Sequence, residues 1–251
     1  MPRPEQEIIQ ITPNQTGLDR INTMAEILES AAPQEILRWA FDEFGESVKI
    51  ATGFGADGMA LIDMAVKIIS DPDIFFLDTG FLFPETYELR LQIEERYRIK
   101  VRAFSSELTP EMQSETYGPD LWLRDPDLCC RIRKLFPLKE ALRGKRSWIT
   151  AIRRDQTPER ASARPVEWDR RWQLVKVNPL VRWSKRDVWN YIVKNNVPYN
   201  PLHDRGYPSI GCTHCTRAVG RGEDERAGRW TGFAKTECGL HGGQGSEVRN
   251  F

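Results

Sequence analysis

The sequence contains little cysteine and histidine, no excess of charge of either sign, and no long apolar run. Its 251 residues include 5 cysteines and 3 histidines, and 36 basic residues balance 36 acidic ones. The neutral total gives no reason to predict nucleic-acid or membrane binding. No stretch approaches the roughly 18 apolar residues of a membrane helix, and the N-terminus lacks the apolar core of a signal peptide, so we expect a cytoplasmic location.

The few cysteines fall into two pairs and a single residue. Cys129 and Cys130 are adjacent in PDLCCRIRK, Cys212 and Cys215 form the CxxC of GCTHC, and Cys238 lies in KTECGLHGG. Because a reducing compartment disfavours structural disulfides, clustered cysteines indicate a metal site or catalysis. Two pairs can supply four thiolates to one site, which leaves the fifth cysteine free.

Spacing alone leaves two kinds of metal site open. Four cysteines are a common ligand set for structural zinc. An adjacent pair, however, fits awkwardly around one small tetrahedral ion, whereas a 4Fe-4S cluster presents four separate irons that neighbouring residues can reach. The pattern therefore favours one 4Fe-4S cluster and keeps zinc as the alternative.

Basic residues follow the adjacent cysteines. Between residues 131 and 171 there are 13 basic and 5 acidic residues. If the segment is helical, Lys134 lies on the same face as Cys130, next to an anionic cluster or substrate. An anion site is one interpretation of this run, and a solvated basic face is the other.

Strand-like and helix-like segments alternate along the chain. We predict strands at VKIAT, DIFFLDTG and IKVRAF, separated by helices that begin after GFGADG and at FPETYELRLQIEERY, with a further helix over residues 33–45. This order is typical of a parallel sheet covered by helices. Later strands are predicted at RSWITAI and WQLVKVNPL, and Ser184 can cap a helix over SKRDVWNYIVKNN. The domain prediction is an N-terminal arm over 1–30, an α/β domain over 31–205, and a C-terminal segment over 206–251 that packs over it.

The segment VKIATGFGADGMAL is a strand, a turn of small residues and the start of a helix. Backbone N–H groups at Gly53, Gly55 and Gly58, together with the positive end of the helix dipole, form a natural phosphate cradle. No Gly-Lys-Ser/Thr follows, so this is not a Walker loop, and it departs from the dinucleotide-binding fingerprint. A tight turn without a ligand is the alternative.

The fifth cysteine, Cys238, is a candidate nucleophile. Glycines on its C-terminal side permit motion, and Lys235 and His241 can favour the thiolate, which is the nucleophilic form. Glu237 opposes that effect. A chance surface cysteine is the alternative.

These segments, in this order, resemble the assimilatory adenylyl-sulfate reductases of the phosphoadenylyl-sulfate reductase family. The resemblance covers most of the chain through ATGFGADG, FFLDTGFLFPETY, AIRRDQTPER, the adjacent cysteines, GCTHCTRAVGRGEDERAGRW and KTECGLH. It implies a parallel-sheet, adenine nucleotide alpha hydrolase-like (PP-loop) α/β fold with helices on both faces and a C-terminal segment folding over the site.

The resemblance also implies a function and a set of site residues. The function is thioredoxin-dependent reduction of adenylyl sulfate to sulfite and AMP through an S-sulfocysteine on the catalytic residue, Cys238. The 4Fe-4S cluster would be held by Cys129, Cys130, Cys212 and Cys215. The nucleotide pocket would be lined by Thr52, Gly53, Phe54, Gly55 and Asp57. The sulfate and phosphate groups would be bound by Lys134, Arg154, Arg160, Arg226 and Arg229.

Partners follow from the same resemblance. The chain has no second CxxC in a thioredoxin-like context, so the reductant would be a separate reduced thioredoxin or glutaredoxin. Phosphoadenylyl sulfate, alone or beside adenylyl sulfate, is the alternative substrate. More distant alternatives are an ATP pyrophosphatase that modifies RNA and a zinc-stabilised nucleic-acid-binding module. The sequence leaves the oligomeric state open, including a homo-oligomer.

Overall fold

The computed structural model describes residues 15–235 and 237–240. Its strands are β1 (Val48–Thr52), β2 (Ile74–Asp78), β3 (Val101–Ser105), β4 (Ser147–Ile149), β5 (Val166–Asp169) and β6 (Leu174–Val177). They form one sheet in the order β3-β2-β1-β4-β6-β5. All neighbours pair in parallel except β5, which runs antiparallel to β6 at one edge.

Helices connect and cover these strands. Within the described residues they are α1 (Gln15–Ile27), α2 (Pro33–Phe44), α3 (Ala56–Val66), α4 (Pro84–Tyr97), α5 (Pro110–Tyr117), α6 (Leu121–Arg124), α7 (Pro126–Cys130), α8 (Phe136–Leu142) and α9 (Lys185–Asn195). A π-helical turn, Arg131–Leu135, joins α7 to α8. No helix in the described part of the chain is long and apolar enough to cross a bilayer.

Alternating residues of the strands bury both faces of the sheet. In β2, Ile74 and Phe76 join the main core with residues of α1 to α4 and α9. Phe75 points to the opposite face, where it packs with Leu138 and Leu142 of α8. A strand covered on both faces is apolar throughout, as is typical of parallel sheets. The prediction of a helix-covered, mainly parallel sheet is therefore confirmed.

Local signals account for the helices that the sequence predicts. Helix α2 begins at Pro33, the position where proline is tolerated best, and is capped at its C-terminus by Gly45, whose φ is +50°. Ser184 caps α9 by accepting a hydrogen bond from the Asp187 amide, and the Asp187 carboxylate accepts one from the Ser184 amide. The predicted boundaries of both helices agree with the structure to within two residues.

Strand β5 and the short helices between 110 and 142 are absent from the sequence prediction. The four residues of β5, VEWD, are mostly half-buried and form an antiparallel edge, so they lack the apolar run of the parallel strands. The helices α6 and α7 have four and five residues, which is too short for a periodic pattern.

The N-terminal part of the described chain packs on the domain. Ile21 and Ala25 of α1 are buried in the main core. Residues 1–14 of the predicted arm lie outside the described residues. The domain boundaries at 30 and 205 stay a prediction.

The strand order creates a crevice. β1 is followed by β2 on one side of it, and β4 lies on its other side, so the connections after β1 and β4 leave the sheet in different directions. The carboxyl ends of strands at such a point are where open α/β sheets bind ligands. The chain after α9 returns to this edge, because the Thr213 amide donates to the Phe81 carbonyl and Leu82 forms a bridge with Cys212.

Candidate active site

A cavity of about 700 Å³ opens at the carboxyl ends of β1 and β4. Its walls come from the loop after β1, the segment after β4, the π-helical turn and the C-terminal segment. The predicted site residues that line it are Thr52, Gly53, Gly55, Asp57, Lys134, Arg160, Cys212, Arg226, Arg229 and Cys238. Residues separated by up to 186 positions in the sequence therefore share one cavity.

The loop between β1 and α3 presents backbone donors to this cavity. The Thr52 hydroxyl accepts a hydrogen bond of 3.1 Å from the Phe54 amide. Gly58 is required at the first turn of α3, because a Cβ there would lie 2.8 Å from the Thr52 hydroxyl oxygen. Within the described residues no side chain caps α3 at Gly55. The first N–H groups of α3 are thus available to an anion such as phosphate.

Two of the residues predicted to bind the substrate lie away from the cavity. Phe54 is buried in the main core and packs edge-on against Phe76, with ring centroids 5.2 Å apart. Arg154 forms a bidentate ion pair with Glu29, with N–O distances of 2.6 and 2.9 Å. The contacts of Arg154 therefore tie the segment after β4 to the N-terminal region.

The neighbouring arginine, Arg153, lines the cavity, although the sequence analysis did not select it. It is only 5% exposed and its guanidinium pairs with Asp57 and with Asp155, the latter at 2.8 Å. Gln156 also donates to Asp57, at 3.0 Å. The charge of Asp57 is therefore balanced by Arg153 within the cavity.

The four paired cysteines line a second, smaller cavity beside the first. It is enclosed by Phe81, Trp122, Pro126, Arg133, Lys134 and His214 together with Cys129, Cys130, Cys212 and Cys215. The His214 ring stacks on Trp122, with centroids 3.9 Å apart, and lies edge-on to Phe81 at 5.0 Å. His214 is thus an aromatic wall of this cavity. We call the cavity lined by Cys129, Cys130, Cys212 and Cys215 the cysteine pocket.

Burial makes thiolates unfavourable in the cysteine pocket. It raises the pKa of Cys129 to about 12 and that of Cys215 to about 11, and repulsion from the other cysteines adds to both shifts. Burial also raises the pKa of Cys130, although Lys134 opposes the shift. Among the described residues, no three His, Cys, Asp or Glu side chains form a group that could hold a metal ion.

Two buried cations adjoin the cysteine pocket. Arg133 donates to the Gln113 side chain at 2.7 Å and to the Leu108 carbonyl at 2.8 Å, and its guanidinium lies over the Phe81 ring. Gln113 in turn reaches the Cys129 sulfur at 3.9 Å.

Lys134 lines both cavities, as does Cys212. Burial by itself lowers the pKa of Lys134, but Cys212, Cys130 and Cys238 more than offset this, so the pKa is raised. Lys134 therefore stays a cation between the two cavities. The π-helical turn contributes both Arg133 and Lys134, which are buried side by side.

Ionic and polar contacts hold the tail, by which we mean residues 235 and 237–240. Lys235 pairs with Asp127 of α7, and the Gly239 carbonyl accepts a hydrogen bond of 2.7 Å from Arg171. The Glu237 carboxylate accepts one of 2.9 Å from Arg160. Cys238 lies between these contacts, half-buried at the cavity wall. His241, which the sequence analysis considered as a neighbour of Cys238, lies outside the described residues.

Cationic side chains near Cys238 surround the buried indole ring of Trp230. The Trp230 ring, 3% exposed, has the Arg229 guanidinium 4.5 Å from its centroid. Lys235, Arg226 and Lys134 follow at 5.6, 5.9 and 6.0 Å. A π face attracts cations and offsets part of the repulsion among them.

The sequence of the chain matches a known protein family. Residues 47–218, more than half of the chain, match the family model of the phosphoadenosine phosphosulfate reductase domain. The chain belongs to this family. The adenosine 5'-phosphosulfate reductase of Halalkalibacterium halodurans is 47% identical over 222 residues, which cover 88% of this chain and 96% of that protein.

Solved structures support the same family assignment. The phosphoadenylyl-sulfate (PAPS) reductase of Candida auris, a phosphate complex, is similar with a TM-score of 0.69 at 30% identity, over 80% of this chain and 97% of that one. The FMN adenylyltransferase of Candida glabrata has a TM-score of 0.52 at 18% identity, over 79% and 64% of the two chains, and shows the fold alone. The predicted membership in the reductase family is confirmed.

Proposed function

We propose that this member of the family reduces adenylyl sulfate to sulfite and AMP in sulfate assimilation. The observation that carries the proposal is the position of Cys238, which lines the same cavity as the β1–α3 loop and the cationic side chains of Lys134, Arg160, Arg226 and Arg229. The 47% identity to an adenosine 5'-phosphosulfate reductase over nearly its whole length supports the same substrate.

Substrate binding would use the two ends of the cavity. The N–H groups at the start of α3 and in the β1–α3 loop suit the phosphate of the nucleotide. The cations Lys134, Arg160, Arg226 and Arg229 suit the sulfate, since a guanidinium can bind two oxygens of an oxyanion at once. A thiolate approaching an anionic ester is repelled, so fixed cations are what the transition state requires.

The first chemical step transfers the sulfonate group to Cys238. The thiolate attacks the sulfur of adenylyl sulfate, a sulfur–sulfur bond forms, and the bond from that sulfur to the bridging phosphate oxygen breaks. The bond's electron pair leaves with AMP. Cys238 then carries an S-sulfonate, and no electron has yet entered from outside.

The second step needs a separate dithiol protein, which we propose to be reduced thioredoxin or glutaredoxin. Its thiolate attacks the Cys238 sulfur, the sulfur–sulfur bond breaks, and the electron pair leaves with sulfite. The resulting mixed disulfide is resolved by the second thiol of the same protein. The dithiol is oxidised to a disulfide, the sulfonate is reduced to sulfite, and the Cys238 thiol is restored.

We further propose that Cys129, Cys130, Cys212 and Cys215 hold one 4Fe-4S cluster. The four thiols line one small cavity, and each could bind a different iron. The buried cations Arg133 and Lys134 would compensate the negative charge of such a group. The cluster would supply a fixed local charge, while Lys134 is oriented between it and the substrate.

Phosphoadenylyl sulfate is the second candidate substrate. The family model and the Candida auris enzyme both carry its name. A competition assay, in which both nucleotides are offered at equal concentration, separates the two. We expect sulfite to form preferentially from adenylyl sulfate.

The proposed function is tested by mixing anaerobically purified protein with adenylyl sulfate and reduced thioredoxin, and measuring sulfite and AMP. We expect sulfite from the wild type and none from Cys238→Ser. Without reductant, a single turnover should yield one AMP per chain and a sulfonated Cys238, detected by peptide mass spectrometry. Sulfite production by Cys238→Ser at the wild-type rate would refute the proposal.

A further inference from the structure

The residue before the nucleophile makes the most extensive ionic contact of the tail. The Glu237 carboxylate accepts a hydrogen bond from Arg160 at 2.9 Å, pairs with Arg226 at 3.4 Å, and accepts a weaker one from the Thr157 hydroxyl at 3.4 Å. These contacts join positions 77 and 80 residues apart in the sequence. The Glu237 side chain is only 15% exposed.

The two arginines that hold Glu237 also line the cavity with Cys238. Both are among the residues that we expect to bind the oxyanion groups of the substrate. A carboxylate and a sulfate or phosphate group offer the same chemistry to a guanidinium, namely two accepting oxygens and a negative charge. Glu237 and a bound anion are therefore alternatives for the same donors.

We propose that Glu237 is an internal anion that occupies the arginine site while the substrate is absent. It holds Cys238 against the cavity through Arg160 and Arg226, and the incoming oxyanion displaces it. Glu237 acts through the arginines, so it is a positioning residue. The identity of the natural anion rests on the proposed function. The competition between Glu237 and an anion for Arg160 and Arg226 does not.

Other contacts of the tail remain in place when Glu237 is displaced from the arginines. Arg171 still holds the Gly239 carbonyl, and Leu240 packs against the apolar cluster that contains Phe75. Lys235 remains paired with Asp127. Loss of the Glu237 contacts therefore shifts the residues next to Cys238 without detaching the tail as a whole.

The competition is tested by isothermal titration of inorganic sulfate into the full-length protein at constant ionic strength. Glu237 and sulfate compete for the same arginines, so removing the charge of Glu237 should strengthen sulfate binding. For Glu237→Gln we expect a dissociation constant lower by about fivefold or more, as for a typical coupling between sites. Glu237→Asp, which keeps the charge, should lie closer to the wild type.

A second measurement reports on the tail itself. In the absence of any anion, iodoacetamide should alkylate Cys238 faster in Glu237→Gln than in the wild type, as located by peptide mass spectrometry. The control is Glu140→Gln, which removes the same charge from an exposed pair with Arg143. We expect wild-type sulfate binding and wild-type alkylation from this control.

The proposal would be overturned if Glu237→Gln bound sulfate no more tightly than the wild type, or did not bind it at all. Glu237 would then only orient Cys238 or the arginines. The same gain in Glu140→Gln would also overturn it, because the effect would come from net charge. Sulfate binding does not depend on turnover. If the wild type fails to form sulfite while the affinity still rises in Glu237→Gln, the proposed function fails and the internal anion stands.

Discussion

The cysteine pocket and the tail hold their thiols in opposite ways. Three of the four pocket cysteines are buried, and aromatic rings of Phe81, Trp122 and His214 enclose them. Cys238 is half-exposed, and its neighbours are held by ion pairs and one backbone hydrogen bond. Apolar enclosure suits a permanent ligand set, whereas ionic contacts at a cavity wall can exchange one anion for another.

The two regions meet at Lys134. Its ammonium group is buried between the pocket and the cavity, where thiolates at the neighbouring cysteines would raise its pKa. Lys134 lies in the π-helical turn Arg131–Leu135, and this locally widened stretch of helix brings one side chain to the walls of both cavities.

The largest expected effect comes from breaking the cysteine pocket. Cys130→Ala should lose nearly all bound iron and acid-labile sulfide, and with them sulfite formation, because three thiolates cannot complete the proposed ligand set. Metal content and absorbance of anaerobically purified protein provide the measurement. Cys238→Ser is the matched control and should keep its iron. Full iron content in Cys130→Ala would contradict the proposed ligand set.

The next effect comes from the cation between the regions. Lys134→Met should lower kcat/KM for adenylyl sulfate by about 10²–10³-fold, as does loss of a preorganised donor elsewhere. Lys139→Met, at an exposed position of α8, should match the wild type. Steady-state sulfite assays give both values. A decrease of less than tenfold for Lys134→Met would place its charge outside the transition-state contacts.

A smaller effect should separate the adjacent arginines. Arg153→Ala removes the buried partner of Asp57 and should raise the KM for adenylyl sulfate about tenfold, equivalent to about 1.4 kcal/mol. Arg154→Ala removes a partly exposed pair with Glu29 and should lower the free energy of unfolding by about 1 kcal/mol or less. Kinetics and urea unfolding measure the two changes. Equal KM values in both variants would contradict the assignment of Arg153 to the cavity.

The smallest effect on the site is expected at the N-terminal cap of α9. Ser184→Ala removes the hydroxyl that accepts a hydrogen bond from the Asp187 amide at the start of α9. The free energy of unfolding should fall by about 1 kcal/mol, a typical loss for a helix cap. Denaturant unfolding provides the value, and iron content should stay at the wild-type level. A loss of iron would show that α9 is coupled to the cysteine pocket.

Much of the fold could be predicted because its signals are local. The apolar runs of β1 and β2, the proline at the start of α2 and the cap at Ser184 each act within a few residues. Strand β5 lacked such a signal, since an exposed edge needs neither an apolar run nor a crossover helix. The short helices α6 and α7 were missed because four or five residues are too few to show a helical period.

The candidate site was predictable in its chemistry but less so in its geometry. Most of the selected residues line the cavity, because motifs at the carboxyl ends of strands converge on one edge of the sheet. The orientation of Phe54 into the core and of Arg154 toward Glu29 could not be read from the same motifs. The direction of the Arg154 side chain depends on Glu29, which is 125 residues away in the sequence.

The sequence by itself determined the pairing of four cysteines, the single remaining thiol, the glycine-containing turn after β1 and the alternation of strands and helices. These are properties of residue type and short spacing. Only the tertiary structure decided that Lys134 joins two cavities, that Arg153 and not its neighbour faces one of them, and that Glu237 rests on Arg160 and Arg226. The physical reason is that each of these contacts forms between distant segments, where burial and charge pairing are set by how the chain packs.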